Sequence, residues 1–335
     1  MKAIVYEGPK TISVKEVPTP VAGEGQGLIK VKAVGICGTD LGIYGGTHPR
    51  AKAPLVPGHE YAGILMNDTK RFKAGTKVAV NPLLFCGECA SCKAGNTHVC
   101  NTLRLDGIDR DGGMAEYSVV EDNMLVEVPE SVPIELGAFI EPLAVAVHAL
   151  RETNYVSGDN AIVYGCGTIG LVTAMTLVEF GCTNITLVEA DEKRAEVARS
   201  FGFDVKNAIG LDLEALKAEK TEGNGFDWVF DCAGVQAVAS ALLEAVKVRG
   251  HIIVVAGYKK PVEMPLFLGM VKETSISFVR VYRDIDMKIA AELLEKQPKY
   301  AQLITNKVPV DEAQKGFDLL TTPGTGAIKV LYTFD

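Results

Sequence analysis

The sequence predicts an α/β protein of two domains, a mostly-β domain followed by a doubly wound parallel sheet with helices on both faces. Three observations lead there. A chain of 335 residues exceeds the size at which one hydrophobic core usually stops growing. Its first third reads as short runs closed by Gly, Pro and Asn. From about Ser157 the pattern changes to repeated units of apolar strand, glycine turn and amphipathic helix.

The elements follow in chain order. "KAIVYEG", "TISVKEV", "GLIKVKAVGI", "KVAVNPL" and "EYSVVEDN" mix period-two alternation with β-branched runs, so each is expected as a strand. "NAIVYGCGTIGLVTAMTLVEFG", "ITLVEADEKRAEVARSFG", "WVFDCAGVQAVASALLEAV" and "GHIIVVAGY" then supply the strand and helix units whose repetition demands parallel strands. "DMKIAAELLEK" is expected as a helix and "AIKVLYTF" as a closing strand.

Composition narrows the function classes. The chain is 47% hydrophobic and 23% charged, as globular proteins are, and carries a net charge of -8. That charge gives no electrostatic footprint for nucleic acid or an anionic membrane, so neither is expected as a partner. "MKAIVYEGPKTISVKEV" reaches Glu7 and Lys10 before any signal-peptide apolar core forms, and a cytoplasmic location is expected. Asn160 to Val178 is uncharged, but Gly165, Gly167 and Gly170 interrupt it, so it reads as strand, turn and buried helix rather than a membrane span.

"CGECASCKAGNTHVC" places Cys86, Cys89, Cys92 and Cys100 within one short loop. Such spacing converges four sulfurs on one tetrahedral zinc, whereas disulfides are disfavoured in a reducing compartment and between cysteines with only two residues between them. Four thiolates close the coordination shell, so this zinc is expected to be structural and the chemistry to lie elsewhere. His98, inside the loop, is expected to face solvent.

Three further segments carry metal-type residues: "GICGTD" with Cys37, "VPGHEYAG" with His59 and Glu60, and "FIEPLAVAVHAL" with Glu141 and His148. Each alone is weak, since a lone Cys is more often a small buried residue than a ligand. His59 and Glu60 are neighbours and would point to opposite faces of a regular strand, so both can be ligands only if the backbone bends, for which Gly58 is placed. One thiolate, one neutral imidazole and one carboxylate would neutralise Zn2+ and leave a position open.

"AIVYGCGTIG" ends an apolar strand in Gly165, Gly167 and Gly170, with Thr168 and Ile169 between the last two. The pattern fits G-x-G-x-x-G between a strand and a helix, the first glycine for the turn, the second for approach of a pyrophosphate, the third for helix packing. Glu189 ends the next strand, where a carboxylate accepts from the adenosine ribose hydroxyls and repels a 2'-phosphate, so NAD is expected over NADP. Arg194 would be the phosphate partner in the opposite case, and Asp191 is the other candidate for the ribose. Cys166, Cys182 and Cys232 read as packing residues.

Taken together, "VGICGTD", "PGHEYAG", the cysteine cluster, "DGGMAEYSVV", "IEPLAVAVHAL" and "GCGTIG" resemble the zinc-dependent medium-chain dehydrogenase/reductase family over nearly the whole chain. "GHE" followed by "EPLAVAVHA" is most similar to its polyol branch of sorbitol, hexitol-phosphate, sugar-acid and threonine dehydrogenases. The resemblance implies a GroES-like catalytic domain at 1–147, a Rossmann domain at 148–280, and a segment 281–335 returning to the first. It implies two zinc ions per chain, one at the four cysteines and a catalytic one on Cys37, His59 and Glu60, with Glu141 bound directly or through water. Thr39 would pass the alcohol proton onward. Many relatives carry a histidine at the position of Gly42, so the proton exit here falls to His48 or to water. Ala233 and Ala256 would line the nicotinamide side, and Tyr44 and Arg280 are candidates to touch substrate.

The expected activity is NAD-dependent oxidation of a secondary hydroxyl of a polyol, polyol phosphate, sugar acid or related compound by a homo-oligomer, dimer or tetramer. The alternatives are a threonine-type dehydrogenase or a non-catalytic, zinc-stabilised nucleotide-binding protein. The second alternative would be expected to have lost metal ligands, which this sequence keeps.

Overall fold

The computed structural model describes residues 1–153 and 155–334. They form two compact units, one made of Met1–Ala144 with Tyr282–Asp335 and the other of Val145–Val281. Among the described residues no helix is long and apolar enough to cross a membrane.

The first unit is built on a seven-stranded sheet. Its order is Ile304–Pro309, Lys329–Thr333, Gln26–Gly35, Glu60–Leu65, Lys77–Val80 and Leu125–Glu127, with Tyr117–Glu121 also paired to Gln26–Gly35. The expected strands are all present, including Lys2–Gly8 and Thr11–Glu16, which pair with each other as a separate two-stranded sheet. Alternation explains the central one: Leu28, Lys30 and Lys32 are half-buried, whereas Ile29, Val31 and Ala33 are wholly buried. Ile29 and Val31 join Ile4, Leu65, Val78, Val120 and Val330 in one core. The helix Asp284–Lys296 and the closing strand Lys329–Thr333 fall where their patterns predict.

The second unit is a six-stranded sheet in which every pairing is parallel. Its order is Asp204–Asn207, Asn184–Glu189, Asn160–Tyr164, Phe226–Asp231, Val246–Val254 and Ser275–Phe278. Numbered along the chain this is the 3-2-1-4-5-6 arrangement, whose order reverses beside the strand Asn160–Tyr164. Ligands of such sheets bind off the carboxyl ends of strands at that reversal, and the glycine turn leaves this strand there. The helix that follows, Thr168–Glu179, buries every residue from Gly170 to Leu177, which accounts for the long uncharged stretch. Cys166 and Cys182 are buried and Cys232 half-buried, as packing residues would be.

Candidate functional site

The strand Gln26–Gly35 delivers Cys37 to the N-cap of the helix Gly38–Tyr44. Asp40, fully buried, ties this corner to the next ligand-bearing segment. Its Oδ2 accepts from the Cys37 N–H at 2.9 Å and its Oδ1 from the Gly58 N–H at 3.3 Å.

Gly58 turns the chain just before His59 and the strand that starts at Glu60. Its φ is +93°, and a Cβ there would lie 2.7 Å from Met114 and 2.8 Å from Val34. The sulfur of Cys37, an imidazole nitrogen of His59 and a carboxylate oxygen of Glu60 lie within 4.8 Å of one another. Glu60 sits opposite Gly35 in the antiparallel register, and its carboxylate fills the space a side chain at Gly35 would need, since a Cβ there would fall 2.1 Å from Oε2.

Glu60 has a second partner that the sequence reading missed. Lys329 Nζ donates to its two oxygens at 2.6 and 2.8 Å and to the Ile36 carbonyl at 3.1 Å, with both side chains only 2% exposed. The signal was a lone lysine inside the apolar run "AIKVLYTF". Burial opposes the Lys329 charge, but Glu60 and Cys37 outweigh it and raise its pKa.

His59 is 4% exposed, and among the described residues its Nδ1 has no hydrogen-bond partner. Burial works against a charged imidazole here, yet Cys37 and Asp40 override it and set His59 well above its usual range. The corner therefore calls for positive charge. A dication held by Cys37, His59 and Glu60 answers that demand, and the residues fit zinc.

Glu141 stands at the start of the helix Ile140–Arg151, outside the converging trio. Its Oε1 accepts from the Tyr282 hydroxyl at 2.6 Å, and burial pushes its carboxyl up to about 7 against the opposing pull of His59. Nothing in the local sequence marks Tyr282, because its partner lies 141 residues away.

Thr39 is half-buried on the helix between Cys37 and Asp40. Tyr44 ends that helix with its ring 4.8 Å from Phe317 and its hydroxyl accepting from Gln314 Nε2 at 2.9 Å. Arg280 is exposed near the end of the second unit. After Gly45 and Gly46 the chain is not loose: the Gly42 carbonyl accepts from the N–H groups of Thr47 and His48 at 2.9 and 3.2 Å. His48 Nδ1 accepts from the Ala51 N–H at 3.1 Å, which puts the proton of a neutral ring on Nε2. Burial, aided by Arg50, lowers the His48 pKa.

The four-cysteine loop is folded as a metal cage. The sulfurs of Cys86, Cys89, Cys92 and Cys100 all lie within 4.8 Å, with Cys86 to Cys100 at 3.5 Å and Cys86 to Cys92 at 3.9 Å. Zinc bonds of about 2.3 Å in a tetrahedron set sulfurs roughly 3.8 Å apart, whereas a disulfide needs about 2.05 Å. All four are free cysteines. The Cys86 and Thr102 N–H groups both reach the Cys100 sulfur at 3.4 Å, and the first of these chiefly lowers that thiol to about 6. His98, expected to face solvent, is instead buried, because the turn Thr97–Val99 folds it inward between Cys92 and Cys100 in sequence.

In the second unit, Gly165 has φ +98°, and Gly170 approaches the Gly165 carbonyl so closely that a Cβ would lie 1.7 Å from it. This is the turn and helix packing that the glycine spacing predicts. Gly167 caps the helix Thr168–Glu179, leaving the N–H groups of Thr168 and Ile169 at its N-terminus, the end suited to a phosphate. Glu189 stands at the end of the neighbouring strand, and Arg194 lies in the first turn of the helix Glu192–Ser200, its N–H capped by Asp191 at 3.1 Å. Asp231, fully buried, joins two loops at the carboxyl edge. Its Oδ1 accepts from Ala233 and Gly234 at 3.0 Å, the Tyr258 hydroxyl donates to Oδ2, and its carbonyl accepts from the Ala256 N–H at 3.0 Å.

Comparison with known proteins agrees with this geometry. The family described as alcohol dehydrogenase GroES-like domain matches residues 23–130, and that described as zinc-binding dehydrogenase matches residues 168–296. The chain is 34% identical over 298 residues to 2-dehydro-3-deoxy-L-galactonate 5-dehydrogenase of Pseudoalteromonas atlantica, covering 88% of this chain and 87% of the other. It is 30% identical over 339 residues to L-idonate 5-dehydrogenase of Vitis vinifera, covering 97% and 92%. L-threonine 3-dehydrogenase of Escherichia fergusonii is also 30% identical, over 331 residues, with 96% and 95% covered. Among solved structures, an Escherichia coli alcohol dehydrogenase complexed with NADH superimposes with a TM-score of 0.91 at 28% identity, over 100% of this chain and 99% of the other. A zinc-binding dehydrogenase of Sinorhizobium meliloti bound to NADP gives 0.90 at 28% identity, with 99% of each chain covered. The two zinc-type clusters, the all-parallel nucleotide fold and these matches lead to one conclusion: the chain belongs to the zinc-dependent medium-chain dehydrogenase family.

Proposed function

We propose that this protein is a zinc- and NAD-dependent dehydrogenase that oxidises a secondary hydroxyl of a polyol, polyol phosphate or sugar acid to a ketone. The observation that carries the reading is the buried convergence of the Cys37 sulfur, a His59 imidazole nitrogen and a Glu60 carboxylate oxygen within 4.8 Å of one another. A zinc ion held there would supply the Lewis acidity that makes an alcohol proton easy to remove, and NAD would supply the electron acceptor.

The chain's own residues do the rest. Cys37 and Glu60 balance the charge of a dication, and Lys329 holds both Glu60 oxygens, so that the carboxylate stays in place whether or not it is a full ligand. Glu141, oriented by Tyr282 and outside the converging trio, is suited to hold a water at the site rather than to add a third negative charge to the metal. Thr39 takes the substrate proton, and water carries it on. Glu189 selects NAD over NADP, Gly165, Gly167, Thr168, Ile169 and Gly170 cradle the pyrophosphate, and Ala233 and Ala256 border the nicotinamide. Tyr44 and Arg280 are the further positions to vary for substrate contact.

Threonine is the second reading, favoured by the similarity to L-threonine 3-dehydrogenase. NAD reduction measured across hexitols, pentitols, their phosphates, hexonates and threonine, with and without chelator, separates the two. Cys37→Ser is expected to leave a folded, nucleotide-binding protein with almost no turnover, and Cys89→Ser chiefly to lower thermal stability. Near-wild-type turnover in Cys37→Ser would overturn the catalytic assignment. We further propose a cytoplasmic homo-oligomer, dimer or tetramer. The exposed apolar side chains Leu266, Phe267, Met270 and Val271 on one short helix support the assembly, which sedimentation would test.

A further inference from the structure

Glu189 has more to do than meet a ribose. The parallel ladder between Asn160–Tyr164 and Asn184–Glu189 continues one step into the glycine turn, where the Gly165 N–H donates to the Val188 carbonyl at 2.8 Å. The backbone ladder stops there, because the turn peels away. The next donor, the Cys166 N–H, is met by the side chain of Glu189, whose Oε2 accepts it at 2.6 Å. Its other oxygen accepts from the Ala190 and Asp191 N–H groups at 2.8 and 2.9 Å.

A carboxylate offers about four lone-pair positions, and three of these are taken by backbone donors. About one remains for a ribose hydroxyl. Hydrogen bonds to a charged acceptor are among the stronger kinds, and this one fixes the residue between Gly165 and Gly167, so the direction of the following N–H groups depends on it.

We infer that Glu189 is a clasp of the phosphate-binding turn, a positioning residue that sets the turn through the Cys166 N–H and contributes only one hydrogen bond to the ribose. The inference rests on the nucleotide site proposed above. It predicts that removing the carboxylate weakens nucleotides that have no ribose hydroxyls for it to bind. The shorter Glu189→Asp side chain would keep the charge but not the reach to Cys166.

Two measurements on the full-length, zinc-loaded protein test this. The first is hydrogen exchange without nucleotide: the peptide containing Cys166 is expected to exchange at least about tenfold faster in Glu189→Ala, and faster also in Glu189→Asp. Unchanged exchange would overturn the clasp. The second is calorimetric binding of ADP and of 2',3'-dideoxy-ADP. Wild type is expected to lose only a few-fold from ADP to the dideoxy form, whereas Glu189→Ala is expected to weaken the dideoxy form at least about tenfold, about 1.4 kcal/mol. Equal affinity of wild type and Glu189→Ala for 2',3'-dideoxy-ADP would also overturn it. Should Glu189→Ala fail to fold, Glu189→Gln keeps one acceptor oxygen and is expected to show a smaller loss in the same direction. If wild type binds neither ADP nor NAD, the nucleotide reading fails, and the exchange result still decides the clasp.

Discussion

Replacing Lys329 by Met separates the charge the fold supplies to Glu60 from the charge a metal supplies. In the protein as folded, the Lys329 ammonium meets both Glu60 oxygens at 2.6 and 2.8 Å, with each side chain 2% exposed. Removing one partner of such a pair leaves the other charged and buried, at a cost of about 3–5 kcal/mol. Methionine fills much of the lysine volume, so little of that cost comes from a cavity. Without metal, Lys329→Met should lose that full amount, a fall in Tm of about 10 °C for a unit of this size. With zinc bound beside Glu60 the dication replaces the ammonium, and the loss should shrink toward the roughly 1 kcal/mol of the bond to the Ile36 carbonyl. By linkage the difference, about 2–4 kcal/mol, is a gain in zinc affinity at this site of roughly 30- to 700-fold. Urea denaturation of both proteins, each metal-free and zinc-saturated, measures the double difference, and zinc at the four cysteines cancels because both proteins hold it. Equal losses in the two states, or a metal-free loss under about 1 kcal/mol, would refute the reasoning.

Three other outcomes are expected. Gly35→Ala puts a Cβ where the Glu60 carboxylate lies, 2.1 Å from Oε2, so it should cut turnover and retained zinc to near one ion per chain; full zinc content would count against this account. His48 is held with Nδ1 accepting the Ala51 N–H, so its neutral ring has no free acceptor nitrogen with which to take a proton from Thr39. His48→Gln should therefore be nearly silent in turnover and zinc content, and a large loss rescued by added imidazole would show that His48 is the relay. Asp106 is fully buried and its carboxyl is pushed up to about 6 by burial, against the opposing pull of Arg110. A carboxyl raised from an ordinary value of 3.8 favours the fold while protonated, so its contribution is complete below about pH 4 and lost as pH rises through about 6. Between pH 3 and 7 the stability of wild type relative to Asp106→Asn should fall by roughly 3 kcal/mol, and parallel curves from denaturant titrations would refute it.

The local patterns were readable without coordinates because their physics is local. Four thiols spaced for one tetrahedron, three glycines between an apolar strand and a helix, and period-two alternation each act over a few residues. The cysteine cage, the glycine turn and the strands expected from alternation stand where the sequence puts them, whereas Glu60–Leu65, Leu125–Glu127, Asp204–Asn207, Ser275–Phe278 and Ile304–Pro309 were not expected as strands. Even the turn just before His59 was legible, since it holds a positive φ and Gly58 is the residue type that enters one without strain.

What the sequence could not show is who meets whom across the chain. Glu60 is neutralised by a lysine 269 residues away, because the closing strand Lys329–Thr333 pairs with Gln26–Gly35, which in turn pairs with Glu60–Leu65. Tyr282 reaches Glu141 only after the chain has built the whole second unit and returned. Glu189 looked like a strand-end charge free for a ribose, and only the register of two parallel strands turned it toward the Cys166 N–H. Residue type and spacing thus determined which chemistry this chain can carry, a closed zinc cage, an open zinc corner and a phosphate-binding turn. Tertiary structure decided the charge balance and orientation of those groups, because a buried ion must be paired, and its partner is chosen by strand order and register rather than by nearness in sequence.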